Sequence, residues 1–220
     1  MSQGLSFVHL REEMVNQQLL ARGIVRQGII NAFYSIPRER FVGEEYQVEA
    51  YSDSPLPIGY GQTISQPYVV GLMLAVLECG EGMRVLDVGS GSGYQAALLS
   101  MLCDEVFGIE RQAELAERAL AVIESLDIEN VTIVVGDGSA GLRACGPYDR
   151  IICGAAVPEI PWPWVEQLVE GGRVVAPVGD MQEQQIVVAD KRNGEIVRKT
   201  LDSVRFVKLT GEYGFQCTDC

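Results

Sequence analysis

The chain has 220 residues, 47% of them hydrophobic, and a formal net charge of −13 at pH 7, enough for one substantial core and the usual size of one domain. The acidic balance argues against a nucleic-acid partner, because nonspecific affinity for phosphates comes from Lys and Arg displacing counterions. No run of about 18 apolar residues is present to span a bilayer, and Met1 to Leu10 lacks the basic-then-apolar order of a secretory signal, so a cytoplasmic monomer with no membrane partner is expected.

In the first stretch Leu10, Met14 and Val15 share a helical face, and Gly23 ends the pattern. A second helix fits Arg26 to Ser35, with Ile29, Ile30 and Phe33 on one side and Pro37 stopping it. From Ala50 to Pro67, prolines and glycines deny the chain a regular period. That segment reads as a long functional loop, mobile without ligand. A helix from Tyr68 to Leu77 follows.

Strands are then predicted at Arg84 to Val88, Val106 to Ile109, Val131 to Val135, Tyr148 to Cys153 and Arg173 to Val178. Helices fall between them at Tyr94 to Leu102, Ala113 to Ser125 and Pro163 to Leu168. Such alternation means right-handed βαβ units and a doubly wound, mostly parallel α/β sheet. Near the end, Gln185 to Ala189 and Glu195 to Leu201 flank Asn193-Gly194, a preferred two-residue hairpin turn. Val204 to Leu209 is a candidate final strand. The expected organisation is one domain, 1–220: a helical extension and loop (1–65), an α/β core (66–180), and C-terminal β segments with a tail (181–220).

Val85-Leu86-Asp87-Val88-Gly89-Ser90-Gly91-Ser92-Gly93-Tyr94 reads as a buried strand entering a glycine-rich turn that opens a helix. In open α/β sheets ligands bind outside the carboxyl ends of the strands, and glycines let backbone approach them. Alone, such a turn is only a tight connection. Glu110 at the end of the second strand, however, suits two ribose hydroxyls, and Asp137-Gly138 at the end of the third suits an adenine amino group. Each carboxylate by itself reads as a solvated strand-end charge; three in register, counting Asp87, change that reading. The G-x-G-x-G spacing behind Asp87 favours a sulfonium cofactor with an amino-acid end over a dinucleotide.

The six cysteines are scattered, and reduced thiols are expected. Cys217 and Cys220 form a C-x-x-C, but with His9 the only histidine no metal site is expected.

The segment Pro55-Leu56-Pro57-Ile58-Gly59-Tyr60-Gly61-Gln62-Thr63-Ile64-Ser65-Gln66-Pro67 resembles the hallmark of the protein-L-isoaspartate O-methyltransferase family. Ile36-Pro37-Arg38, Gly136-Asp137-Gly138, Pro158-Glu159-Ile160-Pro161, Pro177-Val178-Gly179 and Val204-Arg205-Phe206-Val207 support the likeness, which runs from about Met14 to Leu209. The resemblance implies methylation, by S-adenosyl-L-methionine, of the free α-carboxyl of L-isoaspartyl residues in damaged proteins and peptides. The ester then passes through a succinimide back to L-aspartyl. The family's active-site serine maps onto Ser65. Expected cofactor-binding residues are Asp87, Gly89, Ser90, Gly91, Ser92, Gly93, Glu110, Asp137 and Gly138; expected substrate-binding residues are Ile58, Gln62, Thr63, Ile64, Gln66 and Val207. Ser139 stands where bulkier residues often occur, Lys208 replaces a frequent proline, and the tail through Cys220 is unmatched.

Locally, Ser65-Gln66-Pro67 also reads as a helix start with Ser65 or Gln66 as cap, and one serine could fill both roles. Trp162 and Trp164 read as packing residues. Two alternatives stay open: an aspartyl methyltransferase dedicated to one maturing peptide, and a noncatalytic cofactor-binding adaptor. Asn193-Gly194 is itself a deamidation-prone pair, so aged enzyme is expected to be its own substrate.

Overall fold

The computed structural model describes residues 6–216. Helix α1 (Phe7–Met14) starts at Ser6, whose side chain accepts from His9 N, and buries Met14. The helical path continues through a wide π turn (Val15–Leu19) and a tight 3-10 turn (Leu20–Arg22) to Gly23, left-handed at φ 87°, as the stop signal predicted. Helix α2 (Gln27–Ser35) buries Ile29, Ile30 and Phe33.

The segment read as an irregular loop contains a two-stranded antiparallel hairpin, β1 (Leu56–Gly59) with β2 (Gln62–Ile64). Leu56 and Ile58 are buried while Pro57 and Gly59 are exposed, a period-2 pattern that the prolines disguised. Pro57 is tolerated because the ribbon needs few ladder hydrogen bonds from it. Tyr60 and Gly61 turn the corner with φ 53° and 68°, the positive values that a two-residue hairpin turn requires.

Beyond it follow α3 (Pro67–Leu77), β3 (Arg84–Val88), α4 (Tyr94–Ser100), β4 (Glu105–Glu110), α5 (Ala113–Glu124), β5 (Val131–Val135), β6 (Tyr148–Cys153), α6 (Trp162–Gln167), β7 (Leu168–Gly179), β8 (Gln184–Arg192) and β9 (Glu195–Val204). The seven-stranded sheet has the order β5-β4-β3-β6-β7-β8-β9. Pairings among β3 to β7 are parallel, and β8 and β9 add antiparallel. This is the doubly wound, mostly parallel sheet expected, with a helical N-terminal piece and a C-terminal β-hairpin turned at Asn193-Gly194 (φ 53° and 79°). Alternation along β3 assigns its residues to two cores: Val85 belongs to the one built with α1, α2 and α3 to α5, while Leu86 and Val88 belong to the one built with Trp164 and Val165 of α6.

Val204 to Leu209 is not a further strand. Beyond β9 the chain leaves the ladder: Phe206 N donates to the side-chain Oε1 of Gln184 in β8 at 2.7 Å, and Lys208 forms an isolated parallel bridge with Ala156. That path carries Val207 to Thr210 along the carboxyl ends of the parallel strands. The Cys217 and Cys220 pair lies outside the described residues.

Candidate active site

Strand order reverses between β4 and β6 on either side of β3, so the turn after β3 opens at the topological switch point. Gly89 N donates to Ile109 O at 2.8 Å and Gly93 N to Ser90 O at 2.8 Å, closing the turn into α4. Gly91 has φ 53°, and a Cβ there would come within 3.2 Å of Ile58 Cδ1. A side chain at that position would press on the hairpin, so glycine eases the close approach of the turn to the hairpin.

Glu110, 6% exposed, ends β4. Its Oε2 accepts from Gly91 N and its Oε1 from Gln112 N, both at 2.9 Å. Each oxygen of a carboxylate can accept about two hydrogen bonds, so one site per oxygen is left, the number a ribose diol needs. Glu110 lines a cleft with Gly89, Gly91, Gln112, Gly138 and Val207; Ile58, Gln62 and Thr63 of the hairpin form its opposite lip. Small backbone positions beside a half-satisfied carboxylate fit a nucleoside cofactor.

Asp137 follows β5. Its Oδ1 accepts from Ser139 N at 2.9 Å and Ser139 Oγ at 2.7 Å, and its Oδ2 from Glu212 N at 2.8 Å. Partial burial disfavours its charge, but these donors and the Arg111 charge outweigh it and hold the carboxyl below the usual range. Trp164 Nε1 donates to Gly138 O at 2.9 Å, so this buried indole supports the cofactor wall as well as filling the core.

Asp87 does not line the cleft. Wholly buried on the α4 side of β3, its Oδ1 accepts from Gln95 Nε2 at 2.6 Å, while Oδ2 has no protein partner. Burial pushes its carboxyl up to about 7, against the hydrogen bonds from Gln95 and Ser90 and with help from the Glu110 charge. Gly93, behind the turn, packs so closely on α5 that a Cβ would meet Ala119 at 2.9 Å. Both residues shape the turn from behind.

A second cavity continues from the cleft, lined by Thr63, Ile64, Ser65, Ser90, Ser92 and Gln95. Beyond the hairpin lies an outer groove of about 760 Å³ bounded by Thr63, Ser65, Gln66, Met181, Arg205 and Val207, within the usual volume of a ligand site. Ser65 and Thr63 border both spaces. The N-cap of α3 is Gln66, with no side-chain capping bond, so the Ser65 hydroxyl is not spent on the helix. Locally plausible capping gives way because Ser65 lies one residue before the cap.

Arg38, Gln95, Trp164 and the segment beyond Lys208 were not singled out as site residues by sequence. Arg38 carried a signal, in the Ile36-Pro37-Arg38 match; the others act through hydrogen bonds to partners distant in the chain.

A reversed parallel sheet, a glycine turn at its switch point and strand-end carboxylates define an S-adenosylmethionine-dependent methyltransferase of the Rossmann-like class. The family model described as protein-L-isoaspartate(D-aspartate) O-methyltransferase matches residues 10–214. The chain belongs to that family. It is 47% identical to the protein-L-isoaspartate O-methyltransferase of Koribacter versatilis, over 93% of this chain and 92% of the relative. Identity is also 47% to the Methanoculleus marisnigri protein of the same name, over 94% of each. A solved protein-L-isoaspartate O-methyltransferase structure superimposes with a TM-score of 0.85 at 33% identity, over 93% of this chain and 67% of that one. A Plasmodium falciparum crystal structure in complex with S-adenosyl-L-homocysteine gives 0.78 at 28% identity, over 93% and 98%.

Proposed function

We propose that this chain methylates the free α-carboxyl of L-isoaspartyl residues in damaged proteins and peptides, with Ser65 orienting that carboxylate. Ser65 carries the assignment: it borders both the outer groove and the second cavity that continues from the cofactor cleft, so a peptide carboxylate there would meet the reacting methyl group. When bound, S-adenosyl-L-methionine supplies an electrophilic methyl carbon on a sulfonium. Glu110 would hold the ribose, Asp137 and Gly138 the adenine, and Gly89 to Gly93 would admit the amino-acid end, with Asp87 acting from behind through Gln95.

The substrate carboxylate is already ionised at neutral pH, so no general base is required. Ser65 Oγ would donate a hydrogen bond to one carboxylate oxygen and leave the other free to attack. Alignment of reactants in this way can supply much of the rate. Ile58, Gln62, Thr63 and Ile64 of the hairpin exclude water, and Gln66 and Val207 hold the peptide backbone. After release, the following backbone nitrogen attacks the ester carbonyl, methanol leaves, and water opens the succinimide to aspartyl or isoaspartyl.

A single domain spanning 1–220 is supported by the unbroken seven-stranded sheet, and the net charge of −13 supports a substrate other than nucleic acid. Among the described residues no helix is long and apolar enough to cross a membrane; a cytoplasmic monomer remains part of this reading. Incubation with methyl-labelled S-adenosylmethionine and unrelated isoaspartyl peptides tests it. Labelled methanol released by base from several of them supports repair, whereas labelling of none contradicts it.

A further inference from the structure

Leu209 to Phe215 form a closed strap at the outer end of the cofactor cleft. Phe215 N donates to Leu209 O at 2.8 Å, and Leu209 N to Ala156 O at 2.7 Å. Beside Gly138 of the cleft lining, Glu212 N donates to Asp137 Oδ2 at 2.8 Å and Tyr213 N to Ser139 Oγ at 3.0 Å, and the cleft-lining Arg111 donates from Nη1 to Thr210 O at 3.1 Å. Gly211 is required by this approach, since a Cβ there would collide with the Asp137 carboxylate and the Ser139 hydroxyl. Ser139 is fully buried, and its hydroxyl donates to Asp137 while accepting from Tyr213.

We propose that Ser139 and this strap are positioning elements for adenine recognition, acting through the Asp137 carboxylate. A carboxylate offers about four acceptor sites. The Ser139 amide and hydroxyl occupy the two on Oδ1, and Glu212 N occupies one on Oδ2. One direction is left, on Oδ2, and three fixed donors prevent the carboxylate from rotating it away. An exocyclic amino group is the kind of donor that completes the set; a carbonyl in its place would face an acceptor. The Ser139 hydroxyl couples strap and carboxylate, because displacing Tyr213 releases its acceptor side and loosens its donor bond. The proposal rests on the assignment of adenine to Asp137 made above.

Titration calorimetry on the full chain tests it with two ligands: S-adenosylhomocysteine, and its deaminated analogue S-inosylhomocysteine, which carries a carbonyl where adenine carries the amino group. Wild type is expected to prefer the amino ligand. Ser139→Ala and Gly211→Ala should each weaken S-adenosylhomocysteine binding by roughly fivefold, the equivalent of about one net hydrogen bond, and reduce the preference; Ser139→Thr should restore it. A merely structural role would weaken both ligands equally and leave the preference intact. Asp137→Ala separates the two levels of inference. Loss of preference in Asp137→Ala but not in Ser139→Ala or Gly211→Ala overturns the strap's role alone, and retention of preference in Asp137→Ala overturns the adenine assignment with it. Tighter binding in Gly211→Ala also overturns the proposal, marking the strap as an obstruction.

Discussion

Arg38 Nη2 donates to the Ser65 carbonyl at 2.8 Å while its Nε donates to the Ala50 carbonyl at 2.7 Å. One fully buried guanidinium thus ties together the two ends of the segment that carries the hairpin and the proposed catalytic serine. Burial lowers its pKa to about 10, opposed by contacts with Tyr94 and Tyr51, so it is still charged at neutral pH. Arg38→Met should orphan both carbonyls, costing roughly 2 kcal/mol of stability, and reduce isoaspartyl peptide turnover by about 100-fold through displacement of Ser65. Denaturant unfolding beside steady-state kinetics checks both, and wild-type turnover in the variant would separate Arg38 from the site.

Glu110 offers one open acceptor site on each oxygen. Glu110→Ala removes both and also releases the Gly91 and Gln112 amides, so S-adenosylhomocysteine affinity should fall by at least ~10-fold, as expected for charge-assisted hydrogen bonds. Glu110→Gln, which keeps one acceptor oxygen, should lie between the two. Calorimetry that found equal affinities in all three proteins would remove the ribose assignment.

Asp87 makes stability depend on pH. Its folded carboxyl titrates near 7, above its ordinary 3.8, so between those values the folded chain holds a proton that the unfolded chain has lost. Stability from this group is therefore fully present below about pH 4 and declines as pH rises through 7, by as much as ~4 kcal/mol. Asp87→Asn should flatten that decline, leaving the variant more stable than wild type at about pH 8 in the absence of cofactor. Parallel denaturation curves at several pH values decide the matter; a constant gap would mean that Asp87 does not titrate on folding.

The α/β core was legible because it is written in short-range signals. Apolar runs marked β3, β5 and β6 at their observed limits, and Gly23 and Asn193-Gly194 punctuated where expected. The hairpin at Leu56 to Ile64 was obscured because prolines conceal a period-2 pattern whose corner depends on positive φ at Tyr60, a residue with no turn preference to announce it. Val204 to Leu209 has strand composition, but past Val204 its backbone groups bond to the Gln184 side chain and to Ala156 rather than to a strand edge, partners that the local pattern does not reveal. The site was legible as a set of residue types at strand ends. It was not legible that Asp87 faces away from the cleft, because strand parity fixes a side only once the neighbouring helices are known. Nor could spacing reveal Gly211 against Asp137, a contact made across 74 residues of chain.

The Asn193-Gly194 turn is held by Glu170, whose Oε1 accepts from Asn193 N and Oε2 from Gly194 N at 3.2 Å. Deamidation requires the Gly194 nitrogen to lose its proton and attack the Asn193 side-chain carbonyl carbon, expelling ammonia. A carboxylate bound to that N–H opposes deprotonation. Glu170→Ala should accumulate isoaspartate at position 193 about fivefold faster, by the worth of one hydrogen bond, read by peptide mapping of incubated protein. Methylation of the aged enzyme without added peptide should rise with it and disappear in Asn193→Gln. Self-methylation unaffected by Asn193→Gln would exclude this turn as its own substrate.

The most direct test of the central claim is methyl transfer from labelled S-adenosylmethionine to a matched pair of peptides, one with L-isoaspartate and one with L-aspartate, by wild type and Ser65→Ala. Base-labile labelling of the isoaspartyl peptide alone, falling by about 10-fold or more in Ser65→Ala while S-adenosylhomocysteine still binds, is the predicted result. Equal labelling of both peptides, or undiminished labelling by Ser65→Ala, would contradict the account of how this site selects and holds its substrate.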